Sequence, residues 1–191
     1  MGRIVVSEFV TLDGVMEAPG GGEDFELGGW AFQFERGAEG DQFKVDELMA
    51  SDALLLGRVT YEGFAAAWPG REDEAGFGQK FNSMPKYVVS STLSEPLAWN
   101  NSHLLKGDPV EAVQELRAQP GGDILVNGSC QLVQMLASNG LVDEYRLMVF
   151  PVVLGAGKRM FEPGTRVPKL KLVNAQPVGS DGVVILTYQP A

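Results

Sequence analysis

The sequence predicts an α/β protein. We expect a mostly parallel sheet of about eight strands, an antiparallel C-terminal edge, and helices on both faces. Three observations carry this. Short apolar runs alternate with helical patterns through the middle of the chain. Two of those runs, Ala53-Leu54-Leu55-Leu56 and Asp123-Ile124-Leu125-Val126, pass directly into glycine turns, as strands buried on both faces do. The chain then closes on three strand-like segments, the last two joined by the hairpin signal Ser180-Asp181-Gly182. At 191 residues, 45% of them hydrophobic, the chain has enough apolar material for one domain over residues 1–191.

The elements follow in order. Arg3 to Val10 reads as a first strand, its apolar run interrupted by Ser7-Glu8. From Thr11 to about Gly37 no periodicity is evident, and Ala18-Pro19-Gly20-Gly21-Gly22 excludes regular structure. A loop that long is usually functional. Its apolar groups, Phe25, Leu27, Trp30, Phe32 and Phe34, argue for a loop that folds over a ligand or over core. Asp41 to Ala50 reads as a helix, Ala53 to Leu56 as a buried strand, and Tyr61 to Ala67 as a helix with Thr60 as its N-cap. Phe77–Met84 is a short helix, Lys86–Ser91 and Ser102–Leu105 are strands, and Pro109–Ala118 is a helix capped by Asp108. Asp123–Val126 is a buried strand and Gln131–Ala137 a helix. Val142–Leu154 is a long strand broken at Pro151, and Leu170–Ala175 and Val183–Tyr188 complete the sheet.

Composition narrows the function. With 25 acidic and 15 basic side chains the formal charge is -10, which disfavours sequence-independent nucleic-acid binding. The single cysteine, Cys130, and single histidine, His103, exclude an internal disulfide and an ordinary His/Cys zinc site; this count leaves carboxylate metal sites open, and no metal is expected. No apolar run approaches the ~20 residues of a membrane helix. The N-terminus lacks the apolar core of a signal peptide. These readings point to a cytoplasmic protein with a small-molecule substrate and no membrane partner. The apolar strand at Val142–Leu154 and the aromatic loop make a homodimer plausible.

Two turns share one logic. Leu56-Gly57-Arg58 and Val126-Asn127-Gly128-Ser129 each leave a buried strand and enter a helix. On neighbouring strands they would aim two helix N-termini into one crevice, which suits a pyrophosphate. Neither is a G-x-G-x-x-G fingerprint, and no Walker A sequence occurs. A third strand end, Val89-Ser90-Ser91-Thr92, adds hydroxyls and backbone N–H groups near Arg58.

Leu54 to Glu62 resembles the glycine-arginine-x-threonine segment of dihydrofolate reductases. Lys86 to Ser91 resembles their next strand, and Ile124 to Ser129 their second glycine turn. The chain is most similar to the reductase domain of the bifunctional riboflavin-biosynthesis deaminase-reductases and its free-standing bacterial relatives. The motifs bearing that likeness are Leu12-Asp13-Gly14, within Ser7 to Pro19, and Pro151 to Gly157 followed by Met160-Phe161. The resemblance implies a three-layer, dihydrofolate-reductase-like fold with NADPH as hydride donor. It implies cofactor contacts from Gly57, Arg58, Val59 and Thr60, from Ser90 and Ser91 beside the adenosine 2′-phosphate, and from Asn127, Gly128, Ser129 and Leu132. Dihydrofolate reductases carry a cis peptide in a Gly-Gly pair at the second turn; here the pair is Gly128-Ser129, and its isomer is left open.

The same resemblance makes Asp41 the candidate acid of the catalytic site, and Asp13, Gly14 and Trp30 candidate members of a substrate loop. Lys158 and Arg159 are candidate partners for a substrate phosphate, and Trp68 for a flat ring. The implied activity is reduction of a small heterocyclic or phosphoribosyl substrate, as by 5-amino-6-(5-phosphoribosylamino)uracil reductase. Dihydrofolate reduction and a non-catalytic nucleotide sensor are the alternatives.

Overall fold

The computed structural model describes residues 1–22 and 24–191; Glu23, in the long loop, lies outside them. The order is β1 (Arg3–Thr11), α1 (Gly37–Met49), β2 (Ser51–Gly57), α2 (Arg58–Ala67), α3 (Phe77–Ser83), β3 (Lys86–Val89), β4 (Ser102–Leu105), α4 (Pro109–Ala118), β5 (Asp123–Val126), α5 (Cys130–Ser138), β6 (Glu144–Phe150), β7 (Leu170–Val178) and β8 (Val183–Pro190). The eight strands form one sheet in the order β4-β3-β2-β5-β1-β6-β8-β7. Pairing is parallel from β4 through β6, and antiparallel where β8 joins β6 and β7. The predicted architecture is the observed one.

The central strands are apolar on both faces because both are covered. Val6, Leu55, Ile124 and Val126 pack with Val113 of α4 and Leu132, Val133 and Leu136 of α5. Val5, Leu54, Leu56 and Leu125 pack on the opposite face with Leu48 of α1, Tyr61 of α2 and Phe81 of α3. A third cluster forms where Trp30, Ala31 and Phe150 meet Val178, Val183 and Ile185.

Several boundaries differ from the expectation. α1 starts at Gly37, before Asp41. α2 starts at Arg58 with Gly57 as its cap residue, so Thr60 lies inside the first turn instead of capping it. β6 ends at Phe150, because Pro151 cannot donate to the ladder. Asp108 does cap α4, accepting from Val110 N at 2.9 Å and Glu111 N at 3.0 Å.

At the amino end of the sheet, Lys86 is fully buried. Its Nζ donates to the carbonyls of Asn82 and Met84 at 2.9 Å and of Asn100 at 3.1 Å, and lies 4.3 Å from the Trp99 ring centroid. Burial pushes this amine down to about 8, and the carbonyls and the ring face favour keeping its charge. Lys86→Met would leave the carbonyls at the end of α3 without a donor. We expect a loss of about 3 kcal/mol, read as a lower urea midpoint.

Candidate functional site

The register of the sheet decides what meets at its carboxyl edge. Gly57 pairs with Val89, so Ser90 and Ser91 emerge beside Gly57 and Arg58. Val126 pairs with Val6, so Asn127 and Gly128 emerge beside Ser7 and Glu8. Because β2 and β5 are neighbours, the two glycine turns meet.

They interlock through one side chain. Ser129 Oγ accepts from Gly57 N at 3.0 Å and donates to Thr60 Oγ1 at 2.8 Å. A Cβ at Gly57 would stand 2.5 Å from Ser129 Oγ, and one at Gly128 would stand 2.8 Å from Thr60 Oγ1. Gly128 also has φ +83°, a region costly for other residues. The glycines are thus required for the turns to touch each other. The Gly128–Ser129 bond is trans; the cis bond among the described residues is Glu95–Pro96. α2 and α5 both begin without a side-chain cap. Their first N–H groups are therefore available to an anion at this edge.

The other cofactor candidates take varied places. Arg58 is partly exposed and pairs with Glu62 at 2.8 Å along α2, and Val59 is half exposed. Ser90 Oγ accepts from Thr92 N and Leu93 N at 3.1 Å, shaping the turn, while Ser91 is exposed. Asn127 Nδ2 donates to the Ser7 carbonyl at 2.9 Å, fastening β5 to β1. Leu132 is buried in the core beneath Gly57.

The acid at this edge is Glu8. It is 6% exposed on the α5 side of β1, and its Oε1 accepts from Gly128 N at 2.7 Å. Burial raises its carboxyl to about 8, with the Gly128 N–H and Lys44 acting the other way. On the α1 side, Ser7 Oγ donates to Glu47 Oε1 at 2.8 Å and accepts from Lys44 Nζ at 2.9 Å; Lys44 is also ion-paired with Glu47. Phe9, two residues on, holds Arg36 at 5.2 Å and Lys44 at 5.3 Å from its ring centroid. Sequence reasoning missed Glu8, although the signal was there: an acidic residue inside an otherwise apolar strand.

Asp41 is placed differently from the expectation. It lies on the exposed side of α1, its carboxylate 2.6 Å from Arg36 Nε. The face of α1 turned to the protein carries Gly40, Glu47 and Leu48, and one residue beyond Gly40 is about 100° round the helix. Trp30 corrects another expectation. It is 1% exposed, donates its Nε1 hydrogen to the Glu17 carbonyl at 2.9 Å, and packs edge-on to Phe150 at 5.4 Å. Trp30 is core, and this part of the loop covers β6 and β8. Trp68 likewise packs in a cluster with Phe64, Phe77 and Phe81.

Asp13 is a latch. It accepts from Thr11 Oγ1 at 2.6 Å, Leu154 N at 3.3 Å and Gly155 N at 2.9 Å, which hold its carboxyl down at about 2. Gly14, at φ +79°, turns the chain so that its carbonyl accepts from Met160 N at 2.9 Å. Arg159 closes the same latch through the Asp13 carbonyl at 2.9 Å, and Lys158 pairs with Glu17 at 2.5 Å. Cys130 Sγ lies 2.9 Å from the Arg159 carbonyl, and burial pushes its thiol up to about 11. His103 is on the edge strand β4, against Tyr87.

Fold and edge together define a dihydrofolate-reductase-like α/β domain whose two glycine turns meet at the carboxyl edge of its sheet. The chain belongs to the RibD C-terminal domain family, whose model matches residues 3–184, and is reductase-like in that sense. It is 33% identical over 189 residues to the uncharacterized protein YyaP of Bacillus subtilis (strain 168), covering 97% of this chain and 94% of that one. Among solved structures it resembles a protein of Shewanella sp. PV-4, assigned provisionally to riboflavin biosynthesis, with TM-score 0.75, 23% identity and 99% of both chains covered. It also resembles the diaminohydroxyphosphoribosylaminopyrimidine deaminase/5-amino-6-(5-phosphoribosylamino)uracil reductase of Thermotoga maritima. There the TM-score is 0.66 and identity 16%, over all of this chain and 57% of that one.

Proposed function

We propose that the protein is an NADPH-dependent reductase that transfers hydride to a small heterocyclic or phosphoribosyl substrate. The observation that carries this reading is the interlock of the Gly57 and Gly128 turns directly beside the buried Glu8. The uncapped starts of α2 and α5 suit a pyrophosphate, and Arg58 with Ser90 and Ser91 suits a 2′-phosphate. Bound NADPH would supply the hydride. The chain's own part is to hold the acceptor against it and to deliver a proton. Glu8 would donate its proton to the oxygen or nitrogen of the reduced double bond, where the π electron pair comes to rest once the carbon has gained its new hydrogen. A carboxyl raised to about 8 still carries that proton at neutral pH. Lys44 and Arg36, held against Phe9 and paired with Glu47 and Asp41, are the cations on the α1 side of the edge to which a phosphorylated or anionic acceptor would turn. The substrate class follows the name of the Thermotoga relative.

The test is thermal. NADPH at a hundred times its Kd should stabilise the fold by about 2.7 kcal/mol, roughly 5–10 °C for a chain of this size. No shift with NADPH, NADH or their oxidised forms overturns the proposal. Oxidation of NADPH is then followed with phosphoribosylaminopyrimidine and dihydrofolate acceptors in parallel.

A further inference from the structure

Glu47 is a buried carboxylate with one oxygen left over. Its side chain is 2% exposed. Oε1 accepts from Ser7 Oγ at 2.8 Å and pairs with Lys44. Oε2 is buried and accepts from no donor among the described residues, a condition that folded proteins rarely leave without a use. Arg146 Nη1 lies 3.8 Å from it, just beyond hydrogen-bond reach. Arg146 donates its Nε hydrogen to Glu144 at 2.7 Å and one from Nη2 to Asp123 at 3.3 Å. Among the described residues, Nη1 has no acceptor within hydrogen-bond distance. An idle oxygen and an idle donor thus face each other across a gap slightly too wide.

The topology says which way each cation looks. β1 and β2 both run parallel to β5, so α1 between them runs back from the carboxyl edge. Lys44 therefore lies one turn nearer that edge than Glu47. Its Nζ donates to Ser7 Oγ at 2.9 Å and stands 5.3 Å from the Phe9 ring centroid. An ammonium carries three hydrogens, and Ser7 and Glu47 occupy two. Arg146 lies opposite Ser7, and its other partners, Asp123 and Glu144, stand opposite Arg3 and Val5, toward the amino edge. Glu47 is flanked by one cation on the site side and another on the interior side.

We propose that Glu47 is a movable counter-ion for acceptor binding. Without acceptor it neutralises Lys44. When an oxyanion of the acceptor, such as a phosphate ester, takes the Lys44 ammonium, the Glu47 carboxylate shifts to Arg146, and Oε2 gains the Nη1 donor it lacks. Three cations, Arg3, Lys44 and Arg146, match three carboxylates, Glu47, Asp123 and Glu144. Lys44 can turn to the oxyanion without stranding a buried charge, because Arg146 takes up the carboxylate left behind. The inference rests on the reductase reading for placing the acceptor at this edge, and its test measures binding without turnover.

The probe is D-ribose 5-phosphate, titrated calorimetrically into the full chain with and without NADP+, with D-ribose as the neutral control. Glu47→Gln keeps an oxygen for Ser7 but no charge to compete for Lys44, so it should bind the phosphate ester about tenfold more tightly. Arg146→Gln leaves Glu47 with Lys44 alone and should bind it about tenfold more weakly. Lys44→Met should abolish binding, and adding Glu47→Gln to it should restore nothing. D-ribose should be indifferent to all of these changes. Opposite signs from two members of one ion cluster are not what a general loss of structure produces. Glu47→Gln decides the matter even if Arg146→Gln fails to fold. The inference is overturned if Glu47→Gln binds as wild type does or more weakly, or if neither binds the phosphate ester. A missing thermal shift with NADPH sinks the reductase reading instead; with that shift present and Glu47→Gln no tighter, only the movable counter-ion falls.

Discussion

Glu8→Gln is expected to lower kcat by about 10²–10⁴-fold, the usual loss when a general acid is removed. The substitution is nearly isosteric, and the amide oxygen can still accept from Gly128 N, as Glu8 Oε1 does at 2.7 Å. The glycine turn should therefore keep its shape, and the shift in melting temperature given by NADPH should persist. That combination, binding kept and turnover lost, separates a proton donor from a residue that merely supports the turn.

The pH dependence gives the same substitution a second readout. The carboxyl is raised to about 8 in the folded protein, against about 4.3 in an unfolded chain. Between those values the folded state holds a proton that the unfolded state has released. The stability linked to Glu8 is thus fully present below about pH 4 and is lost as pH rises through about 8. At pH 9 the wild type carries a buried carboxylate costing at most on the order of 5 kcal/mol, lowered by water entering as the site relaxes. Glu8→Gln should be more stable than wild type there and close to it at pH 5. In the wild type kcat should fall above about pH 8 as the proton is lost, a limb the variant should lack. Equal stability differences at pH 5 and pH 9 would contradict this account.

The clamp was legible in the chain because its signals are local. A buried apolar run followed by glycine marks Gly57 and Gly128 without knowledge of what lies across from them. What joins them was not legible. Ser129 reaches Gly57 across 72 residues of sequence, and only the adjacency of β2 and β5 brings them together. Asp41 stands away from this edge for a related reason. Extending the helix-and-strand resemblance selected Asp41, but the inward face of α1 runs through Gly40, Glu47 and Leu48 and leaves Asp41 to Arg36. Ser7-Glu8 looked like an interruption of β1. In the structure the pair straddles the sheet, Ser7 toward Lys44 and Glu47 and Glu8 toward Gly128. Alternation along a strand gives that split once the strand is known to be covered on both sides. Trp30 had no such guide, because no periodicity in the loop says which aromatic residue turns inward.

Gly57→Ala is expected to damage the clamp, and the repair is predictable. Gly57 has φ −84° and ψ 167°, ordinary extended backbone, so alanine meets no conformational penalty there. The obstacle is contact: the new Cβ falls 2.5 Å from Ser129 Oγ and 2.6 Å from Ser129 Cβ. One turn must move, breaking the hydrogen bonds of Ser129 Oγ to Gly57 N and Thr60. We expect a stability loss of about 2–3 kcal/mol, in the range for overpacking, and NADPH affinity weakened by at least tenfold (about 1.4 kcal/mol). Ser129→Gly in the same chain removes both clashing atoms. Ser129 already sits at φ +68°, where glycine is the more comfortable residue. The double variant should therefore regain most of the stability lost by Gly57→Ala. Its affinity for NADPH should stay below wild type, because no hydroxyl remains to tie the turns together. A thermodynamic cycle over the two positions measures the coupling. Additive effects would mean that the glycine serves the ligand; strong compensation would mean that it serves the contact between the turns.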